Sequence, residues 1–75
     1  MKIEMGDAAR AIRKRLGLGQ AAFWSRVGVT QSAGSRYESG RSIPRPVVIL
    51  MKLAYGTDAE ARAMLQKLRS TKPEK

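Results

Sequence analysis

Gly19-Gln20-Ala21-Ala22-Phe23-Trp24-Ser25-Arg26-Val27-Gly28-Val29-Thr30-Gln31-Ser32-Ala33-Gly34-Ser35-Arg36-Tyr37-Glu38-Ser39-Gly40 reads as two short helices folded about one glycine. Gly19 is a modest N-cap for a helix over Gln20–Val27, in which Phe23 and Val27 share a face. Gly28 sits where the turn needs a positive φ, which glycine adopts without steric cost. Thr30 is a good N-cap for the next helix, Gln31 to about Glu38, which Ser39-Gly40 stops. Phe23, Val27, Val29 and Tyr37 are the apolar groups this pair must bury.

Outward on the N-terminal side, Asp7 is a candidate cap for a first helix, Ala8–Leu16. Ala9, Ile12 and Leu16 fall on one face of it, and Arg10, Arg13, Lys14 and Arg15 crowd the rest. Gly17 suits the left-handed position that ends a helix, and Leu18 is expected to tuck into the core. On the C-terminal side, Arg41–Pro46 is a loop, with Pro46 at the first position of a following helix. The run Val47–Tyr55 is rich in β-branched residues, which favour a strand. No second strand is available to pair with it, so a fourth helix is expected. Thr57 and Glu60 have capping-box spacing, and a fifth helix follows with Ala61, Met64, Leu65 and Leu68 on one stripe. The expected organisation is a lead-in (1–6), one domain (7–69) and a polar tail (70–75).

Fifteen Lys+Arg against six Asp+Glu give a formal charge of +9 on 75 residues. Such an excess points to a polyanion partner, against the plainer reading of a solvated surface. Cysteine and histidine are absent, which removes disulfides, Cys-based metal sites and the commonest general base. The carboxylates are Glu4, Asp7, Glu38, Asp58, Glu60 and Glu74, and helix-end roles explain four of them. No nucleophile–base pair or Gly-rich phosphate loop is evident, so no catalytic, metal or cofactor site is expected. No apolar run approaches the ~20 residues of a membrane span, and no signal peptide is visible, so a cytoplasmic protein is expected.

Two short helices about a glycine turn in a basic, all-helical chain suggest a helix-turn-helix. The string Leu18-Gly19-Gln20 … Phe23 … Val27-Gly28-Val29-Thr30-Gln31-Ser32 … Ser35-Arg36-Tyr37-Glu38-Ser39-Gly40-Arg41 … Pro44 resembles the Xre family, which includes phage Cro and cI repressors. The resemblance spans roughly residues 7–56. It implies an all-α, compact five-helix bundle of the lambda-repressor-like type, bacterial or phage-encoded, that binds double-stranded DNA. The third helix would lie in the major groove, with Thr30, Gln31, Ser32 and Arg36 toward base edges. Gln pairs with adenine and Arg forks onto guanine, while serine discriminates poorly. Gln20 would touch phosphate. Arg41 and Arg45 would reach phosphate or the minor groove, or else are ordinary exposed side chains. Arg13 and Glu38 match the family's structural ion pair, so Glu38 reads as a partner of Arg13 rather than an acid catalyst.

Two positions depart from the family. Trp24 stands where alanine is usual, and Gly34 where isoleucine or valine is usual. A compensating swap would fit the indole into the space the missing side chain leaves, with summed volume roughly conserved. The alternative is an exposed Trp24 and a weakened helix at Gly34.

The fourth helix is apolar almost all round, with Lys52 its only charge within Val47–Tyr55. A homodimer through helices four and five would cover the surplus, unless helix five covers it within one chain. The functional expectation is a dimeric repressor or autoregulator on a near-palindromic operator. The alternative is an antitoxin that holds a protein partner as well as DNA. RNA binding is a third reading, but three of the four aromatics lie inside the helix pair.

Overall fold

The computed structural model describes residues 5–70. The expected lead-in and tail lie partly outside them, at 1–4 and 71–75. Five helices follow in order: α1 (Gly6–Arg15), α2 (Gln20–Ser25), α3 (Gln31–Glu38), α4 (Arg45–Tyr55) and α5 (Asp58–Ser70). The described residues hold no strand, and the chain is an all-α bundle with α2 and α3 forming the helix-turn-helix. None of these helices is long and apolar enough to cross a membrane.

Three helices end in one repeated reversal. Leu18 N donates to Arg13 O and Gly17 N to Lys14 O at the end of α1. Val29 with Gly28, and Arg41 with Gly40, repeat the pattern after α2 and α3. These paired bonds satisfy carbonyls that a helix end would leave open, and they need left-handed backbone at the glycine; Gly28 has φ 76°. The apolar residues just past the first two reversals, Leu18 and Val29, pack on the core.

The helix ends differ from expectation in five places, the start of α4 among them: it begins at Arg45, expected in the loop, so Pro46 is its second residue rather than its first. Asp7 does not cap α1: the helix begins earlier, with Met5 at the N-cap in extended backbone and no side-chain cap. Gly6 permits this start, because a Cβ there would collide with the Tyr37 carbonyl at the end of α3. Leu16 is not a core residue. It stands at the C-cap, 49% exposed, and the Gly17 reversal hands its expected place to Leu18. α2 stops at Ser25 rather than Val27, because Val27 N and Gly28 N bond three residues back and tighten the last turn. α5 continues to Ser70, a residue expected in the tail.

The β-branched run is helical. Pro44 sets an extended N-cap, Pro46 occupies the first turn, and Val48, Met51 and Tyr55 bury one face. Tertiary burial outweighs β propensity there. The capping box of α5 is reciprocal: Thr57 N donates to Glu60 Oε1 at 2.8 Å, and Glu60 N to Thr57 Oγ1 at 3.1 Å. The backbone bond from Thr57 leads in lowering the Glu60 pKa.

The core comprises Ala9, Ile12, Phe23, Trp24, Val27, Val29, Ile43, Val48, Met51 and Tyr55. Phe23 stacks on Tyr55 at 4.2 Å between ring centres and meets Trp24 edge-on at 5.2 Å. The Tyr55 hydroxyl donates to the Phe23 carbonyl at 2.6 Å, tying α4 to α2. Burial raises the Tyr55 pKa, with the nearby Arg26 charge opposing it. α1 and α2 both pack on α3, and α5 packs on α4. α5 buries no residue fully, and Leu65 and Leu68 stay 47% and 45% exposed.

Candidate nucleic-acid interface

α3 turns one face inward and one outward. Gly34 and Glu38 are buried on the first, while Gln31, Ser32 and Arg36 are exposed on the second. Gln20, at the start of α2, joins Gln31, Ser32, Ser35 and Arg36 around one shallow hollow. The structure thus gathers four of the sequence-derived DNA residues into one patch of amide, hydroxyl and guanidinium groups. These groups suit base edges and phosphate oxygens.

The other candidates lie elsewhere. Thr30 is exposed at the edge of α3, and its Oγ1 accepts from Ala33 N at 3.1 Å. That cap occupies the hydroxyl as an acceptor and leaves its proton to donate. Arg41 lines a separate hollow with Met5, Asp7 and Ser42, below the start of α1. Arg45 is exposed at the first residue of α4. Neither belongs to the α3 patch.

Beneath the patch lies a saturated carboxylate. Glu38 Oε2 accepts from Arg13 Nε at 2.8 Å and from Trp24 Nε1 at 2.8 Å. Glu38 Oε1 accepts from Arg13 Nη2 at 2.9 Å and Gln20 Nε2 at 3.2 Å. Arg13 Nη1 donates onward to the Leu18 carbonyl at 3.0 Å. The Glu38 side chain is only 4% exposed. Burial alone would raise its pKa; the bonds from Arg13, Trp24 and Gln20, with the Arg13 charge, outweigh burial and hold the carboxyl below its ordinary range. Glu38 in turn raises the Arg13 pKa, chiefly through their hydrogen bond.

Trp24 fills the space beside Gly34. It is fully buried, and a Cβ at Gly34 would run into its indole ring. Its neighbour on α3, Tyr37, lies 5.5 Å away between ring centres. Sequence reasoning missed two bonds at Glu38, from Trp24 and from Gln20. For Trp24 the signal was present: a buried indole N–H needs an acceptor, and a glutamate ending the neighbouring helix can supply one. Among the described residues, no group of acidic side chains is placed to hold a metal ion.

A family model described as the RsaL-like HTH domain matches residues 10–54, more than half of the chain. The matched span holds Arg13, Gln20, Trp24 and Glu38, the whole of α2 and α3, and nearly all of α4. It supports a helix-turn-helix DNA-binding domain, without reaching the narrower Xre family. No curated protein and no solved structure matches the chain.

Proposed function

The chain belongs to the RsaL-like helix-turn-helix domain family, and from that premise we propose that it is a sequence-specific double-stranded DNA-binding regulator. One observation carries the reading: α3 presents Gln31, Ser32 and Arg36 outward beside Gln20, while its other face is anchored by Glu38 and Gly34. In this reading α3 lies in the major groove, Gln31 and Arg36 read base edges, and Ser32 and Thr30 add weaker contacts. Gln20 takes a phosphate. Arg41 and Arg45, outside the patch, would reach the backbone or the minor groove. The formal charge of +9 supplies the sequence-independent attraction.

We also propose that the protein acts as a homodimer and represses by occupying a near-palindromic site, as Xre-type repressors do. Exposed Leu50 on α4 and Leu65 and Leu68 on α5 support a two-fold contact there. Two α3 helices would then stand one DNA turn apart, ~34 Å. The same leucines would serve an antitoxin-type contact with a different protein.

Selection of bound sequences from random duplex DNA tests the reading. The expected result is a two-fold symmetric consensus bound at least ~10³-fold tighter than random DNA. A flat selection with no consensus would overturn sequence-specific regulation and turn attention to a protein partner.

A further inference from the structure

The Gln20 amide bridges the interior and the exposed patch. It lines the hollow with Gln31, Ser32, Ser35 and Arg36, yet its Nε2 donates to the buried Glu38 carboxylate at 3.2 Å. An ionised carboxylate only accepts, so this bond decides which end of the amide faces inward. One N–H and the carbonyl of Gln20 remain for the outside. Glu38 is itself immobilised: Arg13 grips both oxygens and the Trp24 indole grips one. Arg13 also neutralises the carboxylate, so a DNA phosphate approaching Gln20 meets a paired charge rather than a bare anion.

We propose that Glu38 is a positioning residue for DNA binding, holding Gln20 ready to donate to a backbone phosphate, and that Trp24 acts on that contact through Glu38. This rests on the DNA-binding reading above. The advantage is preorganisation: a long, polar side chain loses rotamer freedom on folding rather than on binding. The indole bond also gives the departure at Trp24 a role beyond filling space. It replaces a small side chain with one that adds a donor to the carboxylate on which Gln20 rests.

Glu38→Gln makes the sharpest test, because electrostatics and positioning predict opposite signs. Removing a negative charge from the interface should by itself tighten binding to DNA. Loss of the oriented Gln20 donor should weaken it. The probe is a fluorescent duplex of random sequence, about 21 base pairs long, two DNA turns, titrated at several salt concentrations. Gln20→Ala is expected to weaken binding about tenfold, the worth of one hydrogen bond to a charged oxygen. Glu38→Gln should weaken binding when Gln20 is present. Added to Gln20→Ala, it should have no effect or tighten binding slightly. Trp24→Phe keeps an aromatic ring and removes the N–H, and it should show the same dependence on Gln20 at about two- to threefold. It carries the comparison alone if Glu38→Gln does not fold, as judged by cooperative thermal unfolding.

Tighter binding by Glu38→Gln, or losses from residues 20 and 38 that multiply independently, would overturn the positioning role and leave the DNA-binding reading intact. A folded wild-type protein with no affinity for the duplex at low salt would overturn both.

Discussion

α1 to α4 share one buried interior, whereas α5 lies on α4 without fully burying a residue. In the first region Phe23 and Trp24 are fully buried, and the one buried carboxylate has both oxygens satisfied. In the second, Leu65 and Leu68 remain nearly half exposed. The contrast teaches where tolerance lies. A change in the first region meets a neighbour already in contact; a change on α5 meets solvent or a second molecule.

The largest effect should come from the Trp24–Gly34 fit. Trp24→Ala is expected to cost about 3–5 kcal/mol in urea unfolding, through a large cavity and a lost donor to Glu38. A domain of this size holds only about 4–11 kcal/mol in total. Gly34→Ile alone should also destabilise, because its first carbon meets the indole. The double change should recover much of the loss. Additive losses would mean the first region is not closed by that fit.

Next comes the ion pair. Arg13→Ala leaves a buried carboxylate without its charge partner and should cost about 3 kcal/mol. The same site predicts an acid sensitivity. The folded Glu38 carboxyl lies below its ordinary value, since its hydrogen bonds outweigh burial. Its stabilising contribution is therefore full above the ordinary glutamate value of ~4.3 and is lost as pH falls through the lower folded value. Unfolding curves of the wild type and Glu38→Gln should converge over that acidic window and separate above it. Curves that stay parallel would show that the carboxylate's charge contributes nothing to the fold.

A smaller change probes the junction of α2 and α3. Thr30→Ala removes the cap on Ala33 N and should cost about 1 kcal/mol. Because the hydroxyl also lies beside the proposed base-reading face, selectivity among duplexes reports separately on any base contact.

The smallest effect on a single chain belongs to α5. Leu65→Lys should change the stability of the isolated chain by no more than about 0.5 kcal/mol. If the leucines meet a second copy, the wild-type melting temperature rises with protein concentration and that of the variant does not. A wild-type melt independent of concentration would break the proposed reason for the difference between the regions.

Much of the bundle was legible because its punctuation is local. Gly17, Gly28, Thr30 and the Thr57–Glu60 box act on residues within a few positions, so their effects can be read along the chain. The β-branched run of α4 was legible only by elimination, since its helical state depends on burying Val48, Met51 and Tyr55 against other elements. Asp7 is a plausible local cap, but Gly6 against the end of α3 starts α1 earlier; Leu16 shares the face of Ala9 and Ile12, but it stands at the C-cap and stays exposed, while Leu18 goes inward as expected. At the candidate site, residue type and spacing singled out Arg13, Gln20 and Glu38. They did not reveal that Gln20 rests on Glu38, because that bond depends on how α2 is tilted over α3.

The fit of Trp24 against Gly34 also constrains how such a pair could arise by single substitutions. Starting from a small residue on α2 and a large one on α3, adding the indole first would place two side chains in one volume. Shrinking the α3 residue first leaves only a void, which lowers stability but breaks no backbone contact. The accessible order therefore runs through the loosely packed intermediate. Once Trp24 is in place, a return step at position 34 is closed until position 24 has reverted, so the two positions can change only in a fixed order.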